Sequence, residues 1–118
     1  MVAQELELKI VNTVEQMKKK GVQHWFRWSI YLDADKEILN KIDRVVYHLH
    51  PSFPVKDITV GEERRQEGFK LDTQGWGIFN IFLDIFLKDG TKITASHYLS
   101  FDKDPTKRIT ELKLQALS

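Results

Sequence analysis

Two stretches of this sequence place apolar side chains at every second position. In WFRWSIYL, residues 25–32, the alternating apolar set is Phe26, Trp28, Ile30 and Leu32. In FNIFLDIFL, residues 79–87, the alternating set is Phe79, Ile81, Leu83, Ile85 and Leu87. Because successive side chains of a strand point to opposite faces of a sheet, this alternation predicts β-strands with one buried face.

Further segments continue the period of two along the chain. They are RVVYHLH at 44–50, TKITASHYLSF at 91–101 and ITELKLQ at 109–115. The tripeptide KDG at 88–90 predicts a hairpin turn, since Gly90 can adopt a positive φ. About seven or eight strands separated by turns predict an all-β sandwich.

Two segments do not reveal their secondary structure by pattern alone. Near the N-terminus, one apolar set fits a strand: Leu6, Leu8, Ile10 and Val14. Another set fits a helix: Leu6, Ile10, Val14 and Met17. Periodicity leaves both open here. DADKEILNKID at 33–43 is compatible with a short helical turn capped by Asp33 or Asp35, but its apolar content is too thin for a packed helix.

Length and composition restrict the function classes. At 118 residues the chain is the size of one domain, which we expect to span residues 1–118 around a single core. A net charge of +1 argues against nucleic acid as a partner, because phosphate binding needs clustered positive charge. The longest apolar stretch, IFNIFLDIFL, falls short of the roughly 20 residues that cross a bilayer, so no membrane contact is expected. Zero cysteines and no signal-peptide pattern favour an intracellular protein.

Two segments between the strands look irregular and carry aromatic residues. They are HPSFPVKDITVGEERRQEG at 50–68 and DTQGWGIF at 72–79. In the second, Gly75 and Gly77 flank Trp76 and leave its backbone little restrained. The indole can fold back over Phe53 as a lid on the core, or it can face Phe53 across a gap and hold a flat, uncharged group. In the second arrangement the Ser52 hydroxyl would supply a polar contact.

The histidines are the other candidates for chemistry. His48 and His50 lie on one strand face and could share a metal ion, with His97 as a third ligand. With no carboxylate in the same run and no cysteine, we expect neither a metal site nor a cofactor. His50 is then expected to brace the loop by a hydrogen bond, and His48 to pack. Ser52 beside His50 lacks an acid partner and a Gly-x-Ser-x-Gly elbow, so we expect no enzymatic activity.

The two aromatic motifs together resemble the YEATS domain family. VVYHLHPSFP at 45–54 is followed about twenty residues later by GWGIFNIFLDIFLKDGT at 75–91. The resemblance covers roughly residues 24–100 and extends to prokaryotic YEATS-like domains, whose ligand is not established. It implies an immunoglobulin-like sandwich of about eight strands. The first segment is then expected to be a strand over residues 5–16, and ITELKLQ the closing strand.

The resemblance also implies a function. Eukaryotic YEATS domains bind acetylated or crotonylated lysine at one end of the sandwich. Carried onto this sequence, Phe53 and Trp76 would form an aromatic sandwich and Ser52 would hydrogen-bond the acyl amide. The residues that would shape the channel are His50, Gly75 and Gly77. The partner implied is an acylated lysine on a protein, in the cytoplasm of a prokaryote or the nucleus of a eukaryote.

The sequence departs from the family in two places. The proline pair that usually follows the Ser-Phe loop is replaced by ITVGEERRQEGF. The acidic residues that eukaryotic readers place beside the pocket are replaced by Ser96, His97 and Tyr98, which argues against a histone ligand. A second hypothesis is therefore an interaction module with a collapsed pocket, binding a partner through exposed Trp25 and Tyr31.

Overall fold

The computed structural model describes residues 3–19, 22–49, 56–75, 80–100 and 104–117. Within these ranges the chain forms two antiparallel sheets of four strands each, with one hydrophobic core between them. The predicted all-β, immunoglobulin-like sandwich is therefore confirmed. No helix in the described part of the chain is long and apolar enough to cross a membrane.

The strands follow one another along the chain in a simple order. They are β1 (Ala3–Lys19), β2 (Val22–Asp33), β3 (Ile42–His48), β4 (Asp57–Val60), β5 (Leu71–Gly75), β6 (Asn80–Leu87), β7 (Lys92–Tyr98) and β8 (Ile109–Leu117). The first sheet has the order β5-β2-β1-β8, and the second sheet has the order β4-β3-β6-β7. The connections include one α-helix and two 3₁₀ helices: α1 (Lys36–Leu39), Glu62–Glu67 and Pro105–Arg108.

The structure resolves the segments that the pattern left open. The N-terminal segment is a strand, because β1 pairs with β2 on one side and β8 on the other, and it is longer than the expected 5–16. The predicted helical turn forms as α1 with Asp35 at its N-cap, but the Asp35 side chain makes no capping hydrogen bond. The predicted hairpin turn joins β6 to β7, with Gly90 at a φ of 93°.

Two stretches that we predicted to be irregular contain strands. Residues 57–60 form β4 and pair with β3, and residues 71–75 form β5 and pair with β2. Both strands are short and lie at the edge of a sheet, where pairing with one neighbour requires no apolar alternation. The segment GEERRQEG, residues 61–68, also holds the 3₁₀ helix Glu62–Glu67, in which Arg64 pairs with both Glu67 and Asp72.

The core uses the alternation that the sequence displays. On β2 the inward side chains, at most 2% exposed, are Trp28, Ile30 and Leu32. On β6 the fully buried side chains are Ile81, Leu83 and Ile85. Burial of each such side chain stabilises the fold by about 1.5–3 kcal/mol. Phe26 is only half-buried, because it lies near the end of the sandwich, and Phe79 falls outside the described residues.

The end of the sandwich at which β2 finishes, here called the closed end, is held by Gly68 and Phe69. The Leu32 N–H donates to the Gly68 carbonyl at 2.8 Å, and Gly68 has a φ of 75°. A Cβ at position 68 would lie 2.1 Å from the Leu32 carbonyl oxygen, so this turn requires glycine. The buried Tyr47 hydroxyl donates to the Phe69 carbonyl at 2.6 Å.

Candidate ligand-binding site

The other end of the sandwich, here called the loop end, is where the strands that flank the predicted site residues in sequence finish or begin. The three segments 50–55, 76–79 and 101–103 lie outside the described residues, and of the strands beside them β3 ends at His48, β5 ends at Gly75, β6 begins at Asn80 and β7 ends at Tyr98. In the second sheet, His48 of β3 pairs with Phe82 of β6, and Asn80 of β6 pairs with Tyr98 of β7. The strand ends that flank the three segments are therefore neighbours, which is the arrangement that a site built from several loops requires.

Of the predicted ligand-binding residues, Gly75 lies within the described part of the chain. It is the last residue of β5 and pairs with Phe26 of β2, which places it at the loop end. Its backbone is extended and belongs to a sheet, contrary to the irregular segment that we expected. The remaining predicted residues, which lie outside the described ranges, are His50, Ser52, Phe53, Trp76 and Gly77. How the rings of Phe53 and Trp76 face each other stays a prediction.

His48 does not simply pack, as we expected, but bridges two carboxylates on the outer face of the second sheet. Its Nδ1 lies 2.7 Å from Asp57 Oδ1, and its Nε2 lies 2.8 Å from Asp84 Oδ2. The Thr94 hydroxyl donates to the other Asp84 oxygen at 3.2 Å. We call these four residues the His48 cluster. The cluster joins β4, β3, β6 and β7 in one row across the sheet.

The carboxylates shift the proton equilibria of the His48 cluster. The hydrogen bond to Asp57, and then that to Asp84, raises the pKa of His48 above its ordinary value. The hydrogen bond from His48, supported by that from Thr94, lowers the pKa of Asp84. Each group favours the charged form of its partner, so the cluster favours an imidazolium between two carboxylates.

His97 lies on the opposite face of the same sheet, inside the sandwich, and is 2% exposed. Its Nε2 lies 2.7 Å from Asn12 Oδ1, and its Nδ1 lies 2.7 Å from the Thr110 hydroxyl. Since the Asn12 amide nitrogen donates to the Ser100 carbonyl at 2.8 Å, the amide oxygen is left to accept from Nε2–H. Nδ1 then accepts from Thr110. We call these four residues the His97 cluster.

The His97 cluster suits a neutral imidazole and ties the two sheets together. Burial lowers the pKa of His97 to about 4. Asn12 and Thr110 belong to the first sheet, whereas His97 and Ser100 belong to the second sheet and its continuation. Ser100 directly precedes segment 101–103, so the cluster holds one flank of that segment against the first sheet.

The metal alternative that joins His48 to His97 is wrong. The two rings lie on opposite faces of the second sheet, and both nitrogens of each ring already have partners. Across the described ranges, no group of three or more histidine or acidic side chains is arranged to hold a metal ion. His50, the remaining candidate, lies outside the described residues.

The outer face of the second sheet exposes two aromatic side chains near the loop end. Phe82 is 53% exposed and Tyr98 is 56% exposed. The interaction hypothesis had named Tyr31 instead, which is half-buried, and Trp25, whose side chain lies outside the description. The second sheet thus has an exposed aromatic surface, which was not predicted from the sequence.

A cleft of about 470 Å³ lies at the closed end, where β2 finishes at Asp33. It is lined by Glu7, Leu8, Lys9, Asp33, Ala34, Asp35, Glu111 and Leu112. Four carboxylates and one ammonium make a polar wall. A neutral, flat acyl group has little to gain there, because binding such a group depends on apolar burial.

The chain is similar in sequence to a known protein family and to a curated relative. The family model described as the prokaryotic YEATS domain matches residues 26–100, a range that contains both HLHPSF and GWG. TFIID subunit 14 of Schizosaccharomyces pombe is 32% identical over 95 residues, which are 75% of this chain. The chain spans 38% of the length of that curated relative.

Two solved structures of the yeast Yaf9 YEATS domain resemble the whole fold. One is described as recognising an H3K122suc peptide, and the other as bound to H3K27ac. Both have a TM-score of 0.73 and cover 98% of this chain and 84% of the solved one. The sequence identities of 19% and 18% make this a likeness of fold.

Proposed function

The chain belongs to the prokaryotic YEATS domain family, and from this membership we propose that it is a non-catalytic reader that binds an acylated lysine at the loop end. The observation that carries the proposal is the family match over residues 26–100. The described strand ends support it, since they flank both motif segments at one end of the sandwich.

In the proposed site, Phe53 and Trp76 clamp the flat acyl amide between their rings. The Ser52 hydroxyl accepts from the amide N–H of the ligand, and the Trp76 backbone N–H donates to its acyl oxygen. Further residues that shape the channel are His50, Gly75 and Gly77.

Acylation is the property that such a slot detects. An unmodified lysine carries an ammonium, whose transfer into an apolar slot costs several kcal/mol of desolvation. Acetylation or crotonylation removes that charge. Each buried CH₂ then contributes roughly 0.8 kcal/mol and each hydrogen bond about 1 kcal/mol, offset by the cost of ordering, so the expected affinity is on the order of micromolar to millimolar.

The proposed partner is an acylated lysine of an intracellular protein. Yaf9 binds acylated histone H3 peptides, as the descriptions of its structures state. In this chain the exposed β7 residues Ser96 and Tyr98 are uncharged and His97 is buried, so β7 offers no carboxylate to a basic histone tail at these positions. We therefore propose an acylated protein other than a histone as the partner.

An NMR titration tests the proposal. Isotope-labelled protein is mixed with acetyl-lysine, crotonyl-lysine and unmodified lysine peptides of one sequence. We expect the acylated peptides alone to shift resonances of residues 50–53 and 75–77. Absence of shifts there at millimolar peptide would refute the acyl-lysine assignment.

A matched pair of variants locates the binding surface. Trp76→Ala is expected to weaken binding by about tenfold or more, since it removes one wall of the slot. Phe86→Ala is the control, because Phe86 stacks under Arg44 on the outer face of the second sheet, near the closed end. Equal effects of the two substitutions would contradict the proposed slot.

A second candidate function is protein binding through the exposed Phe82 and Tyr98, with a collapsed slot. Their exposure of 53% and 56% is the observation that favours it. Here the unmodified and acylated peptides would give the same shifts, centred on β6 and β7.

A further inference from the structure

His48 lies just before segment 50–55, which contains Ser52 and Phe53. It is the last residue of β3, and Asp57 is the first residue of β4. The two residues pair across the ladder, and their side chains meet at 2.7 Å. Immediately beyond them the Leu49 N–H donates to the Lys56 carbonyl at 2.6 Å. These contacts hold the chain together directly before and directly after residues 50–55.

The same imidazole reaches the strand that follows the second motif. Asp84, 2.8 Å from His48 Nε2, lies on β6, and β6 begins directly after segment 76–79. One side chain therefore joins the paired ends of β3 and β4 to the strand that continues from the Trp76 segment. The backbone ladder already joins β4, β3 and β6, and His48 adds a side-chain bridge to it.

Both carboxylates require a hydrogen-bond donor, and only the imidazolium has two N–H groups. A neutral ring can donate to one carboxylate but turns a lone pair toward the other. The charged groups that face His48 are Asp57 from β4 and Asp84 from β6. On β7, Lys92 and Thr94 act on Asp84 and keep it ionised. The hydrogen bonds to Asp57 and Asp84 raise the pKa of His48, which extends the imidazolium toward neutral pH.

We propose that His48 is a positioning residue that makes acyl-lysine binding depend on pH, because only its protonated form donates to both Asp57 and Asp84 and so braces β4 and β6, the strands that follow the two motif segments. This inference rests on the proposed function. When His48 loses its proton, it can donate a hydrogen bond to only one of the two carboxylates. The paired ends of β3 and β4, or their link to β6, are then less constrained. The ligand must then order more of the site itself, so its affinity falls as the pH rises.

The test measures the affinity of one acetyl-lysine peptide between about pH 5.5 and about pH 8.5, a range that spans histidine titration. For the unsubstituted protein we expect the affinity to fall about threefold to tenfold toward high pH, the effect of losing one charge-assisted hydrogen bond at a partly exposed site. For His48→Gln we expect a flat profile near the weaker limit. Any slope that persists in this variant reports other groups, such as His50.

Asp43→Asn is the matched control. Asp43 lies on β3 as well and pairs with Arg44 at 2.6 Å, but at the end of the strand away from the loop end. This variant should keep the full pH dependence. An NMR titration of the His48 ring runs in parallel, and its midpoint should coincide with the midpoint of the affinity change.

The outcomes separate the two proposals. If the peptide binds but His48→Gln retains the pH dependence, the role of His48 is refuted and the reader function stands. If no acylated peptide binds at any pH, the reader function fails and this inference falls with it. Should His48→Gln fail to fold, Asp57→Ala provides the same comparison, since it removes one bridge and leaves the imidazole in place.

Discussion

The two faces of the second sheet hold histidines in opposite electrostatic settings. His48, with its side chain 35% exposed, lies between two carboxylates, whereas His97, 2% exposed, lies between an amide and a hydroxyl. The carboxylates raise the pKa of His48, and burial lowers the pKa of His97 to about 4. The surroundings on each face, carboxylate partners for His48 and burial for His97, thus decide whether the ring carries a charge.

The largest expected effect comes from breaking the His97 cluster. Asn12→Ala removes the hydrogen bonds that Asn12 makes to His97 Nε2 and to the backbone of Ser100 in a buried site. We expect a loss of about 3–5 kcal/mol in the free energy of unfolding, measured by chemical denaturation. Thr13→Ala, at the neighbouring exposed position of β1, should cost less than about 0.5 kcal/mol. Similar losses for both variants would contradict the buried network.

Lowering the pH should also destabilise the His97 cluster, by less than Asn12→Ala does. The folded pKa of His97, about 4, lies below the ordinary value of 6.5, so the unfolded chain binds the proton more readily. The stability that neutral His97 contributes is therefore present above pH 6.5 and is lost as the pH falls toward 4. The free energy of unfolding should therefore fall less on acidification in His97→Gln than in the unsubstituted protein, by up to about 3 kcal/mol. Identical pH profiles would exclude His97 as its origin.

The smallest effect on stability belongs to the His48 cluster. Asp84→Asn should cost less than about 1 kcal/mol, because the pair is partly exposed and screened by solvent. Its clearer signature is a lowered pKa of His48, followed by NMR of the ring. An unchanged His48 titration would show that the bridge to Asp84 does not form in solution.

The pH dependence of stability should also differ in sign between the two histidines. The folded pKa of His48 is raised, so its contribution is present below pH 6.5 and is lost as the pH rises through the folded value. The folded pKa of Asp84 is lowered, so its contribution is present above pH 3.8 and is lost as the pH falls. Asp84→Asn should remove the dependence due to Asp84 and weaken that due to His48, which keeps its hydrogen bond to Asp57, while leaving that of His97.

Much of the architecture could be predicted because strand alternation is a local property. The buried faces of β2 and β6 follow directly from the positions of Trp28, Ile30, Ile81 and Leu83. The edge strand β5 was missed because its residues, LDTQG, show no alternation and it pairs on one side only. The five ligand-binding residues outside the described ranges remain predictions carried by the motif resemblance.

The two histidine clusters could not be predicted, although their polar residues were visible. His48 and Asp84 are 36 positions apart, and Asn12 and His97 are 85 positions apart. The alternation does place Asp84 on the outward set of β6. Nothing in it specifies that β3 lies beside β6, or which residues pair in register.

By itself the sequence determined where strands run and which side of each is apolar, because a period of two acts between residues that are adjacent along the chain. Only the tertiary structure decided that one histidine lies between carboxylates and another inside the sandwich. Sheet order and register bring distant residues together, and the resulting burial and hydrogen bonds set the charge of each ring.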